Sequence, residues 1–280
     1  MRTAALLLLA LGATACSDRP AAPAASAAPA PDGVPYRFSE PDVRVELPDV
    51  LSEISGLTVL PSGHLGAVQD ERGTIYEVDP ATGRIVDELS FFGSGDFEGI
   101  ELTPDAVWTV RSDGDLYRVA RAADGSVATE KTETALSSRN DVEGLAYDPA
   151  GDRLLLVCKE DPGSGLDGVR AVYAFSLASR QLSARPVFTI PRSQIDTDDA
   201  FKPSALAVHP ATGHVYVLSS VRKAVAVLGA DGALLTVRPL PEGLFPQPEG
   251  LAFTADGTLY ISNEGPSGPA TLLRFSPADA

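Results

Sequence analysis

Three Glu-Gly pairs recur along the chain, Glu98-Gly99, Glu143-Gly144 and Glu249-Gly250, each leading into a short apolar run. Two further segments carry serine at the same place, Ser55-Gly56 and Ser204-Ala205. One such pair says little, but five copies of one position say more. If the fold gathers them, three carboxylates stand within range of one another and raise each other's pKa. A bound cation is the simplest relief. Oxygen donors without histidine or cysteine favour Ca²⁺ or Mg²⁺ over zinc. The competing reading is structural, with the glutamates capping backbone N–H groups where neighbouring repeats cross.

The elements that would gather these positions repeat as well. The Gly/Ala of the five segments is spaced by 43, 45, 61 and 45 residues. Each segment is a strand followed by a turn rich in Pro, Asp and Gly. A second strand follows, at Leu65–Gln69, Val107–Arg111, 154–159, Val215–Ser219 and Leu259–Asn263. Third strands are expected at 74–78, 115–119, 171–176, 224–228 and 271–275, and fourth strands in the first four units only. Four short strands per 40–45 residues, with no helical periodicity, specify an all-β fold, a β-propeller. The last unit lacks its outer strand. Val43-Arg44-Val45-Glu46-Leu47 alternates with period two and can supply it, closing a ring of five four-stranded blades. The 61-residue spacing reads as loop insertions at 161–168 and 192–202, with a degenerate sixth blade as the alternative. The repeated small residue permits the close approach of inner strands at the axis.

A ring of this kind places the start of each inner strand at one mouth of the axial channel. The end of each second strand lies antiparallel beside it. Those ends carry Asp70-Glu71, Ser112-Asp113, Lys159-Glu160, Ser219-Ser220 and Asn263-Glu264. The mouth therefore collects Ser55, Asp70, Glu71, Lys159, Glu160, Ser204 and Glu264 around the three glutamates, a surface suited to a cation or a polyol. Lys159 can instead neutralise Glu143 as an ion pair. His64, His209 and His214 fall at the other face, which argues against histidine catalysis at this mouth. No Gly-x-Ser-x-Gly elbow, phosphate loop, CxxC or HExxH occurs. Cys158 sits in an apolar run and reads as a buried, inert thiol. Trp108 and Tyr117 read as packing residues.

The 280 residues carry a formal charge of −16, which excludes nucleic acid and anionic lipid surfaces as partners. At the N-terminus, Arg2 precedes the apolar stretch Ala4 to Leu11, and Gly12-Ala13-Thr14-Ala15 leads to Cys16. The stretch is too short to span a bilayer as a helix and reads as an export signal. It resembles a bacterial lipobox, with Ala13 where leucine is usual. That resemblance implies cleavage before Cys16, lipidation of its thiol and stable attachment to a lipid membrane. An ordinary secretory signal cleaved after Ala13-Thr14-Ala15 is the alternative. Residues 17–33 are mostly Ala, Pro, Ser and Asp with too little apolar surface to offset ordering, and read as a flexible tether. The organisation expected is a signal at 1–15, a lipidated tether at 16–33 and a propeller at 34–280. Ser17 after the cysteine, by similarity to Gram-negative lipoproteins, implies the outer membrane facing the periplasm. A monomer is expected.

The segments Leu51-Ser52-Glu53-Ile54-Ser55-Gly56-Leu57, Asp141-Val142-Glu143-Gly144-Leu145-Ala146-Tyr147-Asp148-Pro149, Lys202-Pro203-Ser204-Ala205-Leu206-Ala207-Val208-His209-Pro210 and Pro248-Glu249-Gly250-Leu251-Ala252-Phe253 resemble the SdiA-regulated protein family of small bacterial envelope propellers. The resemblance runs from about Tyr36 to Pro277 and implies fold and compartment more than chemistry. By fold-level analogy, related propellers include calcium-dependent lactonases and esterase-like phytases. A lactonase-type metal set would be imitated by Glu98, Glu143, Glu249 and Asn263, with Ca²⁺ as cofactor. Two functions follow as expectations. The first is an envelope-anchored propeller that binds a ligand or protein partner, with or without a central cation. The second is a metal-dependent lactonase or phosphoesterase at the same mouth, with Asp70, Glu71 or Glu160 as candidate acid or base. The binding reading is preferred because none of those three is distinguished by sequence.

Overall fold

The computed structural model describes residues 34–122, 124–195 and 199–278, so Cys16 and the tether lie outside the described residues. Five antiparallel sheets form a five-bladed propeller, without a sixth blade. The inner strands are Ile54–Val59, Phe97–Leu102, Val142–Asp148, Pro203–Val208 and Pro248–Phe253. They neighbour one another in ring order, the fifth returning to the first. The alternation of Val43–Glu46 has the consequence expected of it. This strand pairs with Thr271–Phe275 in the register Val43↔Arg274 through Glu46↔Thr271, completing blade 5.

Blade 3 departs from the plain repeat. Its outer edge is split between Gln181–Leu182 and Phe188–Pro191, both paired with Val169–Ser176. The insertion beyond it contains one helical turn, Arg192–Ile195. Arg170, buried in the wall of blade 3, clamps that insertion. Its guanidinium donates to the carbonyl of Phe201 at 2.7 Å and of Lys159 at 3.1 Å, and pairs with Asp199.

The core lies between blades, as the apolar faces of the strands require. Each inner-strand glycine serves its neighbour. A Cβ at Gly99 would stand 2.8 Å from the Leu145 backbone nitrogen, and one at Gly144 would stand 3.0 Å from the Ala205 Cα. Gly56 faces Gly99, and Gly250 faces Leu57 across the closure between blades 5 and 1. The aliphatic residue after each glycine thus packs on the preceding blade. Leu57, Ile100, Leu145, Leu206 and Leu251 surround a space of only about 10 Å³ at the waist of the channel. That is room for one water at most. The entry segment adds to the core between blades 4 and 5. Val34, Tyr36 and Phe38 are buried there, and the Tyr36 hydroxyl donates to Gly257 O at 2.6 Å. Cys158 is a free, buried thiol whose pKa burial pushes up to about 12. Trp108 and Tyr117 are buried in the blades.

Candidate functional site

The five Ser/Glu positions share a backbone device absent from the strand pattern. In every inner strand the pairing register slips at that residue. Ile54 pairs with Gln69 and Gly56 with Val68, leaving Ser55 unpaired. Glu98, Glu143, Ser204 and Glu249 are skipped in the same way. Each is a β-bulge, which bends the strand and re-aims one side chain. The next blade is hooked on beside the bulge: the Phe97 N–H donates to Asp70 O at 3.2 Å, and the Val142 N–H to Ser112 O at 2.9 Å.

What the bulge residue does depends on its side chain. The Ser55 hydroxyl donates to Phe97 O at 2.6 Å, and that of Ser204 to Pro248 O at 2.8 Å. Both serines therefore latch one blade to the carbonyl just before the next blade's glutamate, which positions the mouth. The longer glutamates reach the mouth itself. Glu143 and Glu249 are buried there and Glu98 is half-buried.

The place a metal would take beside Glu143 is contested by a lysine. Lys159, from the second strand of blade 3, places its Nζ 2.6 Å from Glu143 Oε1 and 3.9 Å from Asp141 Oδ2. Asn263 buries its Oδ1 with no hydrogen-bond partner among the described residues. Its amide nitrogen donates to Leu244 O at 3.2 Å and to Thr271 Oγ1 at 3.1 Å, tying blade 5 to the loop before it. Among the described residues, no three or more His, Cys, Asp or Glu are grouped to hold a metal. An ammonium stands beside Glu143, and a shared cation would have to displace it.

The glutamates act on one another through their charges. Burial raises the Glu98 carboxyl strongly, with Glu143 and a hydrogen bond shared with Asp96 adding to it. Burial also raises Glu143, although Lys159 pulls the other way. Glu249 is lifted to about 8 by burial and by the charges of Glu143 and Glu264, against a hydrogen bond from Ser220. Burial, with Asp70 and Glu53, lifts Glu264 to about 7. Asp70 rises to about 6 through burial and the charges of Glu53, Glu71 and Asp96. Burial opposes the charge on Lys159, but Glu143, Asp141 and Glu249 hold its pKa above the usual lysine value. At the rim, Lys202 pairs with Glu160 at 2.6 Å, Gln247 donates to Glu264, and the Glu71 side chain is exposed. The mouth is therefore an acidic bowl whose carboxyls outnumber its ammonium groups. Asp96, Asp141 and Glu53 belong to it and were missed in the sequence because they lie outside the strand ends used to place the others.

At the opposite mouth the ends of the inner strands surround a cavity of about 320 Å³. Its walls include Val59, Leu102, Pro149, Val208 and Phe253, and its polar centre is Glu101, which sequence reasoning passed over. His64 is engaged there by Glu77 at 2.7 Å, and buried His209 packs against Phe253.

Solved structures of similar fold include glutaminyl cyclase from Myxococcus xanthus, at 14% identity and a TM-score of 0.58, covering 86% of this chain and 97% of that one. The PQQ-bound aldose sugar dehydrogenase from Streptomyces coelicolor aligns at 17% identity and TM-score 0.54, over 85% and 97% of the two chains. A gluconolactonase of Xanthomonas campestris aligns at 19% identity and TM-score 0.52, over 80% and 72%. At these identities the likeness is one of fold. The SdiA-regulated family model matches residues 37–275, from the entry segment through the last strand of blade 5. With the repeated bulges and the closing strand inside that span, the chain belongs to the SdiA-regulated family.

Proposed function

We propose that this protein is an envelope-anchored binding propeller, and that its acidic mouth captures a small ligand bringing its own positive charge. The observation that carries this reading is the convergence of three bulge glutamates on Lys159, with further carboxyls around them raised by burial and mutual repulsion. A ligand ammonium entering the bowl relieves that repulsion and displaces protons. Binding therefore strengthens as pH rises through about 8, the value reached by Glu249. Spermidine at pH 8 raises the melting temperature, and Ca²⁺ at equal concentration raises it less, because Lys159 already holds the place beside Glu143. By calorimetry, spermidine binds at least tenfold more weakly at pH 5.5 and in Glu249→Gln. A protein indifferent to spermidine at both pH values overturns the proposal.

One observation favours a hydrolytic reading: Glu98 is held protonated beside groups that ionise more readily, the environment of a general acid. Turnover of a lactone or phosphoester that is lost in Glu98→Gln would replace binding with catalysis as the function of this mouth.

Anchoring rests on the apolar stretch and small residues that end at Cys16. Cys16→Ser moves the protein from the membrane fraction to the soluble fraction of fractionated cells. Membrane retention of that variant would remove the lipid anchor from the proposal.

A further inference from the structure

We propose that the mouth opposite the acidic bowl is a second ligand site, and that it takes a small amphiphilic amine. This inference does not depend on the reading of the acidic mouth, because none of the residues lining this cavity belongs to the acidic bowl.

The argument starts from where the inner strands end. All five contribute to the cavity of about 320 Å³, a volume within the range of small-molecule sites. Its walls are side chains such as Val59, Leu102, Val208 and Phe253, which favour an alkyl or aryl body. Set among them is Glu101, half-buried and held by three donors. The Thr58 hydroxyl and the Leu102 N–H donate to Oε1, both at 2.8 Å, and the Tyr147 N–H donates to Oε2 at 3.3 Å. These donors come from blades 1, 2 and 3, so the carboxylate is fixed in place before any ligand arrives. Among the described residues no lysine, arginine or histidine pairs with it. Burial lifts its pKa to about 7 despite the three donors.

A built, oriented anion without a counter-ion in an apolar funnel selects its occupant by charge. An alkyl carboxylate meets repulsion. A neutral apolar molecule desolvates Glu101 further with nothing in return. An alkylammonium buries its tail on the walls and presents N–H donors to Oε2, which has a single long hydrogen bond from the protein.

The test uses the purified full chain at pH 8, where Glu101 is ionised, with n-butylamine, n-hexylamine, n-hexanol and hexanoate as probes. Hexylamine binds at least tenfold more tightly than hexanol, and hexanoate does not bind. Lengthening the amine tightens binding by roughly fourfold per methylene, as burial of each group requires. Glu101→Gln erases the preference of amine over alcohol. Ala255→Phe fills the cavity rim from an exposed position, leaves the donors of Glu101 untouched and abolishes binding, which keeps the test decisive if Glu101→Gln does not fold. Equal affinity for amine and alcohol, or hexylamine binding that survives Ala255→Phe, overturns the proposal. So does binding lost in Glu249→Gln instead, which would assign the amine to the acidic mouth.

Discussion

A chain lacking residues 17–48 aggregates without a cooperative melt, whereas a chain lacking only residues 17–33 melts with the full-length protein. The first truncation removes Val43–Glu46, which supplies the outer strand of blade 5 through its pairing with Thr271–Phe275. It also removes Val34, Tyr36, Phe38 and Leu47, all nearly or fully buried. Each such side chain contributes roughly 1.5–3 kcal/mol on burial. Four of them approach the whole net stability of a domain, about 5–15 kcal/mol. The truncation further exposes the unpaired edge of Thr271–Phe275, an open template for strand addition. Residues 17–33 offer mostly Ala, Pro, Ser and Asp, with Arg19 and Gly33, and no large apolar side chain to lose from a core. Differential scanning calorimetry with light scattering distinguishes the two truncations. A folded, monomeric chain lacking residues 17–48 would show that ring closure does not depend on the N-terminal strand.

Lys159→Met lowers stability at pH 8 by about 2–3 kcal/mol, or roughly 5–10 °C in melting temperature. Its ammonium is the counter-ion of Glu143 at 2.6 Å, and its charge lowers the pKa of Glu98, Glu249 and Glu264 as well. Removing one partner of a buried pair leaves the other charged and desolvated, a cost of about 3–5 kcal/mol when both are fully buried. The lysine is partly exposed, so the smaller figure applies. The double variant Lys159→Met/Glu143→Gln recovers most of the loss, because it leaves no unpaired charge at that position.

The pH dependence has a definite sign. Glu249 and Glu264 have folded pKa values of about 8 and 7, above the 4.5 of an unhindered glutamate. The folded state therefore holds protons that the unfolded state has released. Their contribution is complete below about pH 4.5 and is lost as pH rises to about 8. The penalty of Lys159→Met accordingly shrinks towards pH 5, and Glu249→Gln flattens the decline. Urea titrations at pH 5 and pH 8 measure this. A Lys159→Met penalty equal at both would mean that the lysine acts by packing alone.

The sequence by itself determined the repeat and most of its consequences. Strand composition and turn chemistry are local, so second strands such as Val107–Arg111 and Val215–Ser219 were legible to the residue. Period-two alternation in Val43–Glu46, set against a last unit one strand short, was enough to close the ring. Equivalent positions in a ring must converge, so three Glu-Gly pairs sufficed to bring three carboxylates to one mouth. Tertiary structure decided what those positions do. The bulge at each of them is a property of register between two strands, and a one-strand pattern does not contain it. Whether the Ser55 hydroxyl meets the Phe97 carbonyl, and whether the Asn263 amide nitrogen meets the Leu244 carbonyl, depends on which blade or loop lies beside it. The placement of Lys159 required a bulge on one strand and the end of the next to meet within hydrogen-bonding distance. Glu101 was silent in the sequence for the same reason. It is one acidic residue in an alternating strand, and only the meeting of three blades surrounds it with donors and the meeting of five makes the chamber it faces.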